Sequence, residues 1–417
     1  MPHGGIESRA AMILRITPLA SARAPSRCSL VSCPRSALDV STITTREELH
    51  RLAPEWNSLL ERSGNKYPFL LPAWLTTWWD AFHQDRPLIR DSLCVKVVRR
   101  GSTVVGILPF MRTERPGVGP FRARALGCLG ADEYVTEQRT PIYDPGCQGE
   151  VAQAIADDLR ADGRWDWIWW DGLDQNAEFT RVLDVALGMH WGHSDTANVL
   201  RLRPSWGEFR GGLRHNVKES LRKCYNSLKR DGFTPRLVVA ETASDVEKAL
   251  NTFFALHTAR ARMKDAVHHP DRFAGSHPRR FLVEVCRALA EQHITRVFTL
   301  EIEGEAVASR IGFWLPGCLY LYYSGYDPGW GKYSVMTTTV AEIIQYAIER
   351  GVPAIHLSMG LDVSKTRWGG DTQVLYEAVC VRPRWTSRAA LQLYSWGRDN
   401  PDLKQAIGRL LPKRRFD

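Results

Sequence analysis

Two cations sit close together in the stretch "GLDVSKTRWGG", residues 360–370: Lys365 and Arg367, with Trp368 beside them and glycine at either end. A lysine and an arginine on a shaped loop can meet an oxyanion or a phosphate, and they can equally be a solvated surface turn. A second candidate lies upstream in "GYDPGWGKYS" (325–334), where Gly329, Gly331, Lys332, Tyr333 and Ser334 precede an apolar-periodic run. First-turn amides and the helix dipole make such a junction an anion site; a plain turn with Ser334 as N-cap is the competing reading. Tyr326 and Asp327 open the same loop. A third group is Arg214, Lys218 and Arg222 at spacing four in "LRHNVKESLRK". Like charges at that spacing repel by roughly 0.2–0.5 kcal/mol per pair, so the stripe either faces solvent or awaits an acidic partner. His257, in "ALHTARARMKD", has the right intrinsic pKa for a general base, or is a core-edge histidine bonded to a backbone carbonyl.

The elements that must position these residues follow from periodicity. Helices are expected over 48–64, 72–85, 211–232, 244–263, 278–292 and 334–351, from apolar residues on one face and glycine stops. Strands are expected over 91–111 (with a turn at Gly101), 165–173, three within 295–327, and 354–360. The order in each half is helices, an antiparallel hairpin, a helix and a short strand, which implies a duplicated α+β unit. The aromatic runs "WLTTWWDAF" and "WDWIWW" read as core, with sugar stacking as the alternative.

Composition bounds the rest. A chain of 417 residues suits two domains. Its net charge of +9 suits polyanions such as tRNA, nucleotide cofactors or anionic membranes. Nine scattered cysteines show no zinc spacing, so no metal and a reducing, cytoplasmic setting are expected. No apolar run reaches the roughly 18 residues of a membrane span. Residues 1–37 are basic and acid-poor; they read as a disordered or transit-like head, or as sequence upstream of an alternative start at Met12.

The motif order across residues 40–385, carried by "EWNSLLERSGNKYPFLLPAWL" (55–75), "LRHNVKESLRK", "GYDPGWGKYS" and "GLDVSKTRWG", resembles the FemAB-like and CelD-like acyltransferases of the GNAT superfamily. The resemblance implies an α+β fold of two tandem GNAT-like domains, each a mixed or antiparallel sheet flanked by helices. Residues 38–204 would form the first, partly degenerate copy, and 205–384 the second, with the active cleft; 385–417 would be a basic helical tail. It implies acyl transfer from acyl-CoA, acetyl-CoA foremost, to a hydroxyl or amine of a sugar or polysaccharide precursor. The alternatives are an aminoacyl-tRNA-dependent Fem-type transferase and a non-catalytic partner of a polysaccharide synthase. The implied partners are a small-molecule or glycan acceptor, tRNA in the Fem-type case, and peripheral contact with membrane-bound polysaccharide machinery. On this resemblance Lys365, Arg367 and His257 are the catalytic candidates. Gly329, Gly331, Lys332, Tyr333 and Ser334 would bind cofactor. Arg214, Lys218, Arg222, Tyr326, Asp327 and Trp368 would bind substrate. One departure stands out: family members often carry Ser-Pro-Gly where this chain has Ser334-Val335-Met336. No GxSxG elbow is present, so direct attack by the acceptor is the expected mechanism.

Overall fold

The computed structural model describes residues 38–117, 122–132, 135–263 and 269–399. The head 1–37 and the amphipathic tail residues Leu403 to Leu411 lie outside the described residues.

The first half runs β1 (Leu38–Ile43), α1 (Arg46–Arg62), α2 (Pro72–Phe82), β2 (Asp85–Arg86), β3 (Ile89–Leu93), β4 (Val95–Arg100), β5 (Thr103–Leu108), β6 (Phe110–Arg115), β7 (Ala123–Cys128), β8 (Ile142–Tyr143), α3 (Gln148–Ala161), β9 (Trp167–Leu173), α4 (Glu178–Leu187) and β10 (His190–Arg201). The second half runs α5 (Trp206–Gly212), α6 (His215–Arg230), β11 (Pro235–Ala240), α7 (Ala243–Ala261), α8 (Ser276–Ala290), β12 (Thr295–Ile302), β13 (Glu305–Leu315), β14 (Cys318–Tyr326), α9 (Val335–Glu349), β15 (Ala354–Met359), α10 (Val363–Thr366), β16 (Asp371–Val381) and α11 (Trp385–Asp399).

Local rules account for most of these. A capping box starts α1: the Thr45 hydroxyl accepts from the Glu48 amide while Glu48 returns to the Thr45 N–H, a motif that satisfies two orphan donors. Leu49, Leu52, Trp56, Leu59 and Leu60 then share its buried face. The expected strand–turn–strand over 91–111 forms four segments instead. It breaks at Cys94 and at Pro109, which has no N–H to give a ladder. The single helix expected over 211–232 is two, because Leu213 adopts an extended conformation (φ −70°, ψ 151°) between α5 and α6. Trp56, Trp74, Trp167 and Trp170 are fully buried, which removes sugar stacking as their role.

Twelve strands form one sheet in the order β11-β12-β13-β14-β15-β10-β16-β9-β7-β6-β3-β2; β1, β4, β5 and β8 form a smaller one. The large sheet is pseudo-symmetric about the antiparallel pair β10–β16. Moving outward from it, each side meets a strand that follows a helix (β15 or β9), then a parallel neighbour (β14 or β7), then an antiparallel one (β13 or β6). β10, from the first half, pairs with β15, and β16, from the second, pairs with β9. The halves have exchanged their last strands.

Candidate active site

β14 and β15 are parallel and paired only at Leu319↔Ile355 and Tyr320↔His356. Beyond those positions they diverge toward their C-terminal ends. Two loops leave at that edge: Asp327–Ser334, which feeds α9, and Gly360–Gly370, which follows β15.

Into the split comes a residue from the other half. Glu137 sits on the segment between β7 and β8. Its carboxylate accepts from the Tyr320 hydroxyl on β14 at 2.5 Å and from the Ser358 hydroxyl on β15 at 2.6 and 2.8 Å. The Tyr322 hydroxyl donates to the Val135 carbonyl at 2.5 Å, so two tyrosines of β14 hold one short segment. Gly172 lets that segment lie against β9: it has φ +65°, and a Cβ there would stand 2.9 Å from the Arg139 carbonyl. Burial raises the Glu137 pKa above the ordinary carboxylate value; bonds from Ser358 and Tyr320 and the charges of Lys365 and Arg310 oppose the rise. Ser358 is held in left-handed backbone (φ 68°), a conformation costing about 1–2 kcal/mol outside glycine.

The loop after β15 places the sequence candidates as follows. Lys365 Nζ bonds the Met359 carbonyl and lies 3.2 Å from Asp362. It folds over its own turn beside Glu137. Gly360 takes φ +95°, and a Cβ there would meet Lys365 Nζ at 3.4 Å. Arg367 reaches the first turn of α9, with Nη1 3.4 Å from the Thr337 hydroxyl. Trp368 is buried, its indole N–H bonded to the Ser364 carbonyl, so it anchors the loop and offers no face to a ligand.

At the α9 junction, Asp327 caps the loop by accepting from the Gly329 amide at 2.9 Å. Neither Gly329 nor Gly331 has positive φ; Ser334 does (φ 53°). The special backbone position therefore falls on the serine, not on the glycines. Tyr333 is buried with its hydroxyl on Asp231 at 2.8 Å, and Lys332 lies over the Tyr333 ring at 4.7 Å. Lys332 and Arg367 are thus the cations flanking the helix start. On α6 the expected apolar stripe is buried at Val217, Leu221, Cys224 and Leu228; of the basic stripe, Arg214 and Arg222 are exposed and Lys218 is half-buried. Two of its members have internal partners: Lys218 bonds the Gly211 carbonyl at 2.6 Å, and Arg222 bonds Glu219 at 2.8 Å. Arg214 is the N-cap residue of α6.

His257 is buried in α7, with Nδ1 2.9 Å from the Ser324 carbonyl and Nε2 3.9 Å from Asp271. It is packed among Phe253, Phe273 and Tyr323, and burial lowers its pKa. Gly325 allows that contact, since a Cβ there would lie 2.3 Å from the His257 amide nitrogen. Tyr326 donates to the Met263 sulfur at 3.2 Å beneath the Arg260 guanidinium.

Beside the split, a cleft of about 500 Å³ opens between residues of both halves. Lys66, Tyr67, Tyr143, Phe179, His356 and Gln373 are among its walls. His356 stacks on Tyr320 at 4.3 Å, so the cleft floor is one ring away from the Glu137 network. Burial, with the nearby Lys365 and Lys66 charges, pushes the His356 pKa down to about 3.

Residues 215–366 match the acetyltransferase (GNAT) domain family. That segment is a GNAT-superfamily acetyltransferase domain. With the repeated halves, the chain has a two-domain GNAT-like α+β fold, and it is a transferase. The fold is similar to that in the crystal structure of FemX, with a TM-score of 0.58 and 10% identity over 86% of this chain and 100% of that one. L-PGS from Bacillus licheniformis has a TM-score of 0.46 and 12% identity over 84% of this chain and 96% of its own. A tandem GNAT protein from the clavulanic acid biosynthesis pathway has a TM-score of 0.41 and 11% identity over 83% and 99%. No curated protein matches the chain in sequence. No helix among the described residues is long and apolar enough to cross a membrane.

In this GNAT frame, Glu137, Ser358, Tyr320 and Arg310 are the residues that sequence reasoning missed. One signal was available. Tyr143-Asp144-Pro145-Gly146 repeats as Tyr326-Asp327-Pro328-Gly329, and both aspartates cap the glycine amide two residues on. Aligning these would have matched the two strand-to-helix junctions and exposed 129–141 as an interruption peculiar to the first half.

Proposed function

We propose that the chain moves an acyl group from an acyl-CoA thioester to a hydroxyl or amine, with Glu137 as the general base. The observation that carries this is the Glu137 carboxylate held between Tyr320 and Ser358 where β14 and β15 part. Glu137 takes the proton of the acceptor O–H or N–H as that atom bonds to the thioester carbon. Lys365 lies beside the carboxylate to offset the developing oxyanion. The C–S bond then breaks, and the departing thiolate receives the proton from Glu137. The raised pKa of Glu137 makes it a stronger base than an ordinary carboxylate. In this reading it takes the base role from His257, whose ring nitrogens face a backbone carbonyl and Asp271. Donor phosphates meet the start of α9 between Lys332 and Arg367, and the cleft beside the split holds the body of the acceptor. Its aromatic walls suit a sugar or polysaccharide precursor, as the CelD-like side of the resemblance implies.

A second reading is favoured by the exposed basic face of α6, which packs beside α9: an aminoacyl-tRNA donor of the Fem type. Mass spectrometry of what copurifies, followed by transfer assays with acetyl-CoA and with charged tRNA, separates the two. Glu137→Gln should lower turnover by about 10²–10⁴-fold with the melting temperature held. Undiminished transfer by this variant would remove Glu137 from the chemistry.

A further inference from the structure

Arg310 lies on β13 and is 8% exposed. Its guanidinium makes no hydrogen bond and no ion pair among the described residues, and its Nε is buried without a partner. In the β13–β14 pairing Arg310 stands opposite Ser324, just before a register shift. Ser324 Oγ accepts from Arg260 Nη1 of α7 at 3.1 Å, and the Arg260 Nε is also buried without a partner. Arg260 Nη2 also meets His269 Nε2 at 2.7 Å; both arginines therefore approach Ser324 at the split, each with its Nε idle.

An unpaired buried charge is among the costliest arrangements in a fold, and here like charges adjoin. The anions within reach do not balance them. Asp362 is bonded to Lys365 and Ser364. Glu137 is occupied by Tyr320 and Ser358. Among the described residues, three cations (Arg260, Arg310 and Lys365) face two carboxylates, each already holding other donors. Burial lowers the Arg310 pKa to about 10, which still leaves it charged at neutral pH. The site is open at its rim, where Asp362 is exposed and Arg260 only half-buried.

We propose that Arg310 and Arg260 form a carboxylate clamp, so that the acyl acceptor is a molecule carrying a carboxylate next to its reacting hydroxyl or amine. An arginine fork matches the two oxygens of a planar carboxylate. The assignment to the acceptor rests on the position of Arg260. The donor phosphates are placed at α9, which packs with α6 on one face through Leu319, Leu321, Ile355 and Leu357. Arg260 lies on α7, which packs on the opposite face with Tyr320 and Tyr322, where the first half also sits. The identity of the molecule bearing the carboxylate rests on the acyl-transfer reading; the anion site itself does not.

The test is saturation-transfer NMR on the full chain at pH 7 and matched ionic strength, with acetate, acetamide and inorganic phosphate as probes. Acetate should give a signal that acetamide does not, and Arg310→Met should weaken acetate binding by about tenfold or more. Arg310→Lys, which keeps the charge and loses the fork, should weaken it as well. The ligand-free Arg310→Met protein should melt no lower than wild type, since an apolar side chain replaces an unpaired buried charge. A fall of several degrees would show that Arg310 is a structural residue and overturn the clamp. So would equal signals from acetate and acetamide, binding of phosphate without acetate, or acetate binding unchanged in Arg310→Met. Those outcomes leave transfer by the Glu137 centre intact, whereas loss of transfer with acetate still bound would refute the catalytic reading alone.

Discussion

His356 links the cleft to the Glu137 carboxylate through Tyr320, and its titration gives a sharp expectation. The folded protein holds it neutral, with its pKa at about 3 against an ordinary 6.5. Above 6.5 both folded and unfolded chains carry neutral imidazole, so stability there is unaffected. As pH falls below 6.5 the unfolded chain takes a proton that the folded site refuses, and stability drops with each further unit. Each unit of difference is worth 1.36 kcal/mol, so at pH 5, about 1.5 units below 6.5, the loss is about 2 kcal/mol. His356→Phe keeps a ring on Tyr320 but has nothing to titrate. It also loses the imidazole Nδ1, which accepts from the Ser358 amide at 3.2 Å, but that loss is the same at both pH values and cancels. Urea unfolding of both proteins at pH 7 and pH 5, followed by tryptophan fluorescence, isolates the term. Wild type should lose about 2 kcal/mol more than His356→Phe over that interval. Equal losses would mean that His356 reaches water or a counter-ion, and that the cleft floor is not the dry stack described.

Two further expectations concern the cations. Lys365→Met should cut turnover by about 10²–10³-fold, the usual cost of one oxyanion donor. Because Lys365 opposes the upward shift of Glu137, the same variant should move the rising limb of the pH–rate profile to higher pH; an unmoved limb would separate the two groups. Replacing Arg214, Lys218 and Arg222 together by Gln should leave the fold intact, since the stripe lies at the surface of α6, and should weaken tRNA binding less at high salt than at low. Binding that is unchanged across the salt series would return α6 to a solvated surface.

The legible parts of this protein were those whose signals are local. The α9 helix was readable because Val340, Ile343, Ile344 and Ala347 repeat at helical spacing within a few turns. The loop after β15 was readable because "GLDVSKTRWGG" concentrates cations and glycine in one place. Glu137 was not, because its partners Tyr320 and Ser358 lie 183 and 221 residues away, in a segment with no periodicity of its own. Arg310 was hidden differently. Alternation along "AVASRIGFW" puts it on the face opposite Ile311, but nothing local says that Ser324 of β14 and Arg260 of α7 come to stand beside it. His257 looked functional because a histidine's role depends on what its nitrogens face, and Ser324 supplies that from another element.

The exchange of β10 and β16 bears on how the chain comes to be folded at all. β9 is complete by residue 173, yet β16, its antiparallel neighbour, begins at Asp371. During synthesis the nascent first half must hold one side of β9 and both sides of β10 without their final partners until nearly all of the described chain has been made. Unpaired edges of this kind invite pairing with other chains, and the long closure makes that step slow. Cutting the chain near residue 205 would then give two halves that each carry the wrong last strand. Mixing them should work better than folding either alone, and the swapped strands are the reason the centre of the sheet cannot belong to one half.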